Sequence, residues 1–265
     1  MRFCCLVLLT ALLAGCASGP RIDTRHTAIG QNSRVQYIIL HYTSTDLAHS
    51  LQLLSQGEVS SHYLIGEAPA TIYRLVDEDR RAWHAGDSQW QGRTWLNGTS
   101  IGIELVNQGF YEGADGRYGG GRYWQPYSPA QIDALIVLLK DIVQRHQLPL
   151  GSILGHSDIA PQRKVDPGPL FPWQRLAEAG LVPWPDAQAV ARQRDLFAES
   201  LPTVAWFQAQ LARQGYQVAE HGELDEQTRN VLAAFQMKYR PARHDGEPDA
   251  ETAAMLLVLN SQLTL

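Results

Sequence analysis

Residues 155–168 constrain the fold more tightly than any other part of the sequence, because two prolines stiffen them. Pro161 and Pro167 carry no backbone N–H, and Pro167 favours an extended conformation at the residue before it. We therefore expect a loop here rather than a helix. The loop carries three side chains suited to a catalytic centre: His156, Lys164 and Asp166. An imidazole and a carboxylate on one stiff loop could form half of a metal site, whose other half would come from elsewhere in the chain.

The N-terminus is typical of an exported lipoprotein. Residues 3–13 are apolar apart from one threonine, a run too short to span a membrane but suited to a signal peptide. The run ends in Leu-Ala-Gly-Cys, which resembles the lipobox where bacterial lipoproteins are cleaved and lipidated. That resemblance implies a signal peptide over 1–15, a lipidated Cys16 and an N-terminal tether over 16–33. The alternative is a plain secretory signal with an incidental cysteine.

The same region predicts where the protein resides. Ala17, and not aspartate, follows Cys16, which in Gram-negative lipoproteins resembles sorting to the outer membrane. We therefore expect a palmitate-bearing anchor in that membrane, with the protein on its periplasmic face. All 3 cysteines lie within the first 16 residues, so the mature chain has no thiol to pair. The net charge of −5, without a basic block, gives no indication of nucleic-acid binding.

The next part of the chain has the pattern of an α/β domain. Residues 35–40 and 100–106 are rich in β-branched residues and are predicted to be buried strands. Alternation along the second strand places Glu104 on the face opposite its apolar neighbours. Ser128, followed by proline, is a helix start, and apolar residues then recur at helical spacing. These elements predict a mixed central β-sheet flanked by helices over residues 34–186.

A different pattern follows the proline-rich segment 183–186, which we interpret as a linker. Two apolar stripes at helical spacing and an internal repeat occupy this region. The turn at residues 222–228 recurs at 246–252, and each copy supplies an aspartate as a helix N-cap. We expect a small all-α three-helix domain over 195–265, and a monomeric protein.

Residues scattered along the chain could complete the metal site. A catalytic zinc site takes three protein ligands and one open position. His41, at the end of the first predicted strand, could join His156 and Asp166 as ligands. Glu104 is then a candidate general base, and Lys164 a candidate for stabilising an oxyanion. The spacing alone leaves this open, since the chain has 9 histidines and most histidines bind no metal.

Five separated motifs carry a family resemblance. They occur in one order along the chain: Val35–Tyr42, Ser61–Ile65, Trp83–Gly86, Asn97 with Ser100–Glu104, and Gly155–Pro161. Together they resemble the type-2 family of N-acetylmuramoyl-L-alanine amidases, which is related to phage lysozyme-amidases and peptidoglycan recognition proteins. The resemblance implies one Zn²⁺ held by His41, His156 and Asp166. It also implies Glu104 as the catalytic carboxylate and Lys164 as the basic group that stabilises the transition state.

Two positions separate the chain from the phage branch of that family. That branch has a tyrosine where Ser61 stands here and a cysteine ligand where Asp166 stands, so its tyrosine-dependent mechanism is not expected. The helical region 195–265 resembles the peptidoglycan-binding module of cell-wall hydrolases. Peptidoglycan and muropeptides are therefore the expected partners, besides the membrane that holds the lipid anchor.

The function implied is zinc-dependent hydrolysis of the amide between N-acetylmuramic acid, or its anhydro form, and L-alanine of the stem peptide, in cell-wall turnover or remodelling. Two alternatives stay open: a non-catalytic peptidoglycan-binding protein, and a zinc peptidase that cuts within the stem peptide. Substrate contacts are expected from His84, and from Tyr123 and Trp124 in a loop with aromatic and cationic residues. Each could instead be structural: His84 hydrogen-bonded within the fold, and the two aromatics packed against the domain.

Overall fold

A computed structural model describes residues 20, 22–112 and 122–262. The expected signal peptide, over 1–15, and the expected lipidation site, Cys16, lie outside the described residues. The described residues divide into two compact units, one before residue 33 and one from residue 33 onward. Within the described ranges, we find no helix with the length and apolar character needed to cross a membrane.

The described part of the chain contains strands and helices in a mixed order. The strands are β1 (Tyr37–Tyr42), β2 (Tyr63–Ile65), β3 (Ile72–Arg74), β4 (Gln89–Trp90), β5 (Arg93–Thr94), β6 (Ser100–Leu105), β7 (Phe110–Glu112), β8 (Arg122–Trp124) and β9 (Ile153–Gly155). The helices are α1 (Leu47–Gln56), α2 (Pro129–His146), α3 (His156–Ile159), α4 (Trp173–Glu178), α5 (Ala187–Glu199), α6 (Val204–Gln214), α7 (Glu226–Tyr239) and α8 (Ala250–Gln262). The predicted α/β fold with a helical C-terminal region is confirmed.

A five-stranded sheet in the order β3-β2-β6-β1-β9 forms the centre of the fold. Strands β2, β6, β1 and β9 are parallel neighbours, and β3 runs antiparallel at one edge. His41 on β1 is in register with Glu104 on β6. Because partners in register project from the same face of a sheet, the imidazole and the carboxylate start out side by side.

The face opposite these two residues packs on α2 and α4. Alternate residues of β6, namely Ile101, Ile103 and Leu105, are fully buried there, as the alternation predicts. Helix α2 begins as expected: the Ser128 side chain accepts a hydrogen bond from the backbone N–H of Gln131, and proline follows at the first helical position.

The segment 155–168 differs from the prediction at its start. We expected loop throughout, but His156–Ile159 forms one helical turn, α3. Its cap explains the difference: the side chain of Asp158 accepts a hydrogen bond of 2.8 Å from the backbone N–H of Gly155. The turn ends at Ala160, directly before Pro161, where the proline prevents further helix.

The helical region begins earlier than the apolar stripes suggest. Asp186 caps α5, so a helix directly follows the expected linker, and the boundary expected at 195 falls inside it. Helices α6, α7 and α8 follow, with α5 packed along α8. A glutamine side chain forms the same hydrogen bond to the backbone of each repeated turn. Gln208 reaches the Glu223 carbonyl at 3.0 Å, and Gln236 reaches the Glu247 carbonyl at 2.9 Å, both from fully buried side chains.

The helical region covers the face of the sheet that carries His41. Ile39 of β1 and Leu154 of β9 share one buried cluster with Phe207, Leu211 and Phe235 of the helices. The sheet is therefore sandwiched between α2 with α4 on one side and the C-terminal helices on part of the other.

Candidate metal centre

Three side chains predicted to hold a metal meet at the end of β1. Nδ1 of His41 lies 3.0 Å from Nδ1 of His156 and 3.0 Å from Oδ2 of Asp166, and the last two atoms are 3.1 Å apart. All three residues are buried. A tetrahedral zinc ion with bonds of about 2.0–2.2 Å needs donors roughly 3.3–3.6 Å apart. The triangle is a few tenths of an ångström tighter than this, so a small outward shift of the side chains would admit one such ion.

A backbone carbonyl fixes the ring of His156. Its Nε2 lies 3.2 Å from the carbonyl oxygen of Ala85, which can only accept a hydrogen bond. Nε2 therefore carries a hydrogen, and Nδ1 is the ring nitrogen that can present a lone pair toward His41 and Asp166. Such outer hydrogen bonds set the tautomer and orientation of histidine ligands in metal sites.

A longer chain of hydrogen bonds fixes His41. The Ser100 hydroxyl donates to the carbonyl of Leu96 at 2.7 Å, so its oxygen accepts from Nε2 of His84 at 3.2 Å. Burial lowers the pKa of His84 well below its ordinary value, so the ring is neutral and its Nδ1 is an acceptor. His41 then donates from Nε2 to that atom at 3.1 Å, which leaves its own Nδ1 with a lone pair.

The donor set fits a cation. Burial, with a further contribution from His156, lowers the pKa of His41 to about 4, so the ring is neutral at neutral pH. Asp166 directs its carboxylate oxygen Oδ2 at the same point, 3.0 Å from Nδ1 of His41 and 3.1 Å from Nδ1 of His156. Two nitrogen lone pairs and a carboxylate therefore converge with no hydrogen between them, and a positive ion would stabilise this arrangement.

Glu104 lies beside this triad. Among the described residues, its Oε2 is buried without a hydrogen-bonding partner. Burial, reinforced by the charge of Asp166, raises the pKa of Glu104 to about 8. The positive charge of Lys164 opposes that rise and also lowers the pKa of His41. The structure thus brings together the three predicted metal ligands and Glu104, and Lys164 lies on the same loop two residues before Asp166.

The three predicted substrate contacts lie in different settings. His84 is partly buried and hydrogen-bonded to His41, so its ring has a role inside the fold. Tyr123 is 68% exposed on β8. Trp124 packs on Phe110 with ring centroids 5.0 Å apart. The remainder of that loop, residues 113–121, lies outside the described residues.

The sequence analysis did not identify the hydrogen bonds of His84 with Ser100 and His41, although one glycine indicated that a side chain packs closely on β6. Gly102 lies in the middle of β6, and a glycine inside a strand often marks the close approach of another group. A Cβ at this position would lie 2.4 Å from Cγ of His84. Glycine therefore makes room for the ring that supports His41.

Arg163 was also missed. Its guanidinium donates to the carbonyl oxygens of Ala85 and Asp87, the latter at 2.6 Å, and lies 3.4 Å from Nε2 of His156. Arg163 therefore braces the backbone carbonyl that sets the His156 tautomer. No periodicity marks such a residue, because its contacts join segments far apart in sequence.

Comparison with known proteins places the chain in one family. Residues 31–169 match the family model described as N-acetylmuramoyl-L-alanine amidase, and residues 200–256 match a peptidoglycan binding domain. The chain is 45% identical to N-acetylmuramoyl-L-alanine amidase AmiD of Escherichia coli, over 96% of this chain and 95% of that protein. It is 41% identical to the 1,6-anhydro-N-acetylmuramyl-L-alanine amidase AmpD of the same organism, over 44% of this chain and 56% of that protein.

Solved structures give the same result. The E. coli AmiD structure superposes with a TM-score of 0.82 at 43% identity, covering 92% of this chain and 95% of that one. AmpDH3 from Pseudomonas aeruginosa superposes with a TM-score of 0.84 at 38% identity, covering 93% and 100%. Fold, sequence and the buried triad lead to one conclusion: the chain belongs to the N-acetylmuramoyl-L-alanine amidase family.

Proposed function

We propose that the protein uses one Zn²⁺ to hydrolyse the amide between the lactyl group of N-acetylmuramic acid, in its ordinary or anhydro form, and L-alanine of the stem peptide. The observation that carries the proposal is the convergence of three hydrogen-free donor atoms beside Glu104, whose Oε2 has no hydrogen-bonding partner in the described part of the chain. Two relatives support the substrate. AmiD was solved with anhydro-N-acetylmuramic acid-L-Ala-D-gamma-Glu-L-Lys, and AmpDH3 with anhydromuramic pentapeptide.

Nδ1 of His41, Nδ1 of His156 and Oδ2 of Asp166 would hold the zinc. When bound, Zn²⁺ supplies a Lewis acid that polarises the scissile carbonyl and acidifies water at neutral pH. Two neutral imidazoles and one carboxylate are a donor set used by catalytic zinc sites, and they leave one coordination position for chemistry.

Glu104 would move the proton. Its carboxyl accepts a proton from the attacking water and later delivers that proton to the departing amine of L-alanine. Burial raises the pKa of Glu104, which helps the carboxyl to hold the proton until the amine departs, and the positive charge of a bound metal would favour the carboxylate that first accepts it. The position next to His41 on the neighbouring strand holds the carboxylate on the same face as the metal ligands.

Lys164 would stabilise the oxyanion that develops on the carbonyl. Its positive charge affects the pKa of both His41 and Glu104, which supports a role in stabilising the negative charge that grows during attack. Tyr123, exposed on β8, and Trp124 beside it would contact the glycan or stem peptide, while His84 contributes through His41.

Product masses test the reaction and separate it from its alternatives. Purified sacculi and anhydro-muropeptides are incubated with the protein, with and without chelator, and the masses of the products are measured by mass spectrometry. Free peptides beginning with L-alanine support the amidase. Glycans that still carry L-alanine after cleavage would indicate a zinc peptidase, and no cleavage at all would indicate a protein that only binds peptidoglycan.

We further propose that two regions of the chain have separate functions. Residues 34–186 carry the reaction, and residues 195–265 bind peptidoglycan and keep the enzyme on the wall. Deletion of the helical region should then weaken sedimentation with sacculi. Equal sedimentation of the shortened and full chains would contradict this assignment.

The N-terminus would fix the location. We propose that residues 1–15 are a signal peptide, that Cys16 carries the lipid, and that residues 16–33 tether a monomeric enzyme to the periplasmic face of the outer membrane. Labelled palmitate should enter the protein, and Cys16→Ala should release it from the membrane fraction. Membrane retention of Cys16→Ala would contradict the anchor, and light scattering of the released form would test the monomer.

A further inference from the structure

We propose that Lys238 and Tyr216, both in the helical region, are positioning residues for the metal loop, residues 155–168. They hold the carboxylate of Asp158, and through it the helical turn that carries His156. The helical region would then contribute to the metal centre directly, besides binding peptidoglycan. The inference rests on the proposed function for the identity of the metal.

Asp158 lies at the base of the metal loop and is 1% exposed. Its Oδ2 accepts from the backbone N–H of Gly155 at 2.8 Å and from Nζ of Lys238 at 2.8 Å. Its Oδ1 accepts from the hydroxyl of Tyr216 at 2.6 Å. Both carboxylate oxygens are therefore occupied, and two of the three donors come from the helical region.

The surroundings make this contact a strong constraint. Lys238 is 6% exposed, and its Nζ lies 4.3 Å from the ring centroid of Trp173 on α4. Tyr216 is 5% exposed and packs edge-on against Trp90. A buried carboxylate that loses one partner is costly, because the remaining charge has no water to replace the lost donor. The pair therefore holds Asp158 in one position.

The position of Asp158 is transmitted to the ligands over a short path. The hydrogen bond from Gly155 sets the start of α3, and His156 is the first residue of that turn. The next residue, Ser157, donates its backbone N–H to the carbonyl of Asp166 at 2.8 Å. The turn thus connects the two metal ligands of the loop, His156 and Asp166. A displacement of Asp158 would therefore move both ligands. Groups that orient ligands in this way change metal affinity about 10–100-fold when removed.

The test measures zinc affinity and folding stability separately in the full-length protein. Lys238→Met keeps the length of the side chain and its packing on Trp173 but removes the charge. Tyr216→Phe removes only the hydroxyl. Asn230→Ala is the matched control, since its amide makes an exposed 3.0 Å hydrogen bond to Gln162 across the same junction without touching Asp158. Zinc dissociation constants come from chelator competition at 25 °C, below the unfolding midpoint of every variant.

We expect Lys238→Met to raise the zinc dissociation constant about tenfold. Tyr216→Phe should raise it about threefold, since it removes one neutral donor, and Asn230→Ala should leave it unchanged. If Lys238→Met does not fold, Tyr216→Phe decides the question. A lower unfolding temperature with zinc affinity within twofold of wild type would make these residues purely structural and overturn the inference, as would an equal loss in Asn230→Ala. Wild-type protein that binds no zinc would instead contradict the proposed function, and the inference with it.

Discussion

The hydrogen-bond chain from His41 through His84 to Ser100 predicts that a hydroxyl with no contact to the metal controls metal affinity. Ser100→Ala removes the acceptor of the His84 Nε2 hydrogen, 3.2 Å away, and the donor to the Leu96 carbonyl. The His84 ring is then free to adopt the other tautomer, in which Nδ1 carries the hydrogen and opposes the one on His41.

The magnitude follows from the bonds that are lost. A net hydrogen bond is worth about 0.5–1.5 kcal/mol, so loss of the tautomer preference should raise the zinc dissociation constant about fivefold in Ser100→Ala. His84→Ala removes the partner of His41 entirely, and loss of such an outer partner raises the dissociation constant about 10–100-fold. The series of hydrogen bonds therefore predicts a graded effect: zinc affinity falls more for the substitution nearer the metal.

A nearby serine supplies the control. Ser88 is 4% exposed and its hydroxyl oxygen accepts from the backbone N–H of Leu96 at 3.1 Å, but it does not reach His84. Zinc affinity of the apo-protein is measured by competition with a chromophoric chelator at neutral pH. Ser88→Ala should destabilise the fold comparably and leave zinc affinity unchanged. Equal zinc affinities in wild type, Ser100→Ala and His84→Ala would show that these hydrogen bonds do not control metal affinity.

Further changes test the other groups of the site and one distant ion pair. Glu104→Gln should lower kcat about 10²–10⁴-fold and keep one zinc per chain, because Glu104 is not among the three donors; loss of the zinc would argue against its role as base. Lys164→Met should lower kcat about 10²–10³-fold with little change in KM, as expected for a group that acts on the developing oxyanion; an unchanged kcat would remove that role. Burial alone would raise the pKa of Glu78, but hydrogen bonds led by Arg145 lower it to about 2. The contribution of ionised Glu78 to folding stability is therefore present above about pH 4.5 and is lost as pH falls toward 2. Because Arg145 is 42% exposed, we expect Glu78→Gln to cost only about 1 kcal/mol in urea unfolding at pH 7 and less at pH 3, and a cost independent of pH would contradict the linkage.

Local patterns in the sequence were sufficient for the elements that carry the site. Alternation along residues 100–106 placed Glu104 on the correct face, because a strand repeats every two residues whatever surrounds it. The Ser128 cap predicted the start of α2, since capping depends only on neighbouring residues. Both interpretations needed no knowledge of distant contacts.

The supporting contacts could not be obtained in this way. His84 and His41 are 43 residues apart, and their hydrogen bond exists only because Gly102 has no side chain where the His84 ring lies against β6. The contact of Lys238 with Asp158 spans 80 residues and depends on how the helices dock against the sheet. Even the helical turn at 156–159 was missed, because the cap comes from Asp158 inside the turn and the prolines around it favour a loop.

The most direct test of the central claim is the mass of the products released from sacculi by the wild-type protein, measured before chelation, after chelation and after zinc is restored. We predict free stem peptides beginning with L-alanine and glycan strands without peptide. Both should vanish on chelation and return with stoichiometric zinc. Peptides released by cuts within the stem, or release that continues unchanged without metal, would contradict a zinc amidase.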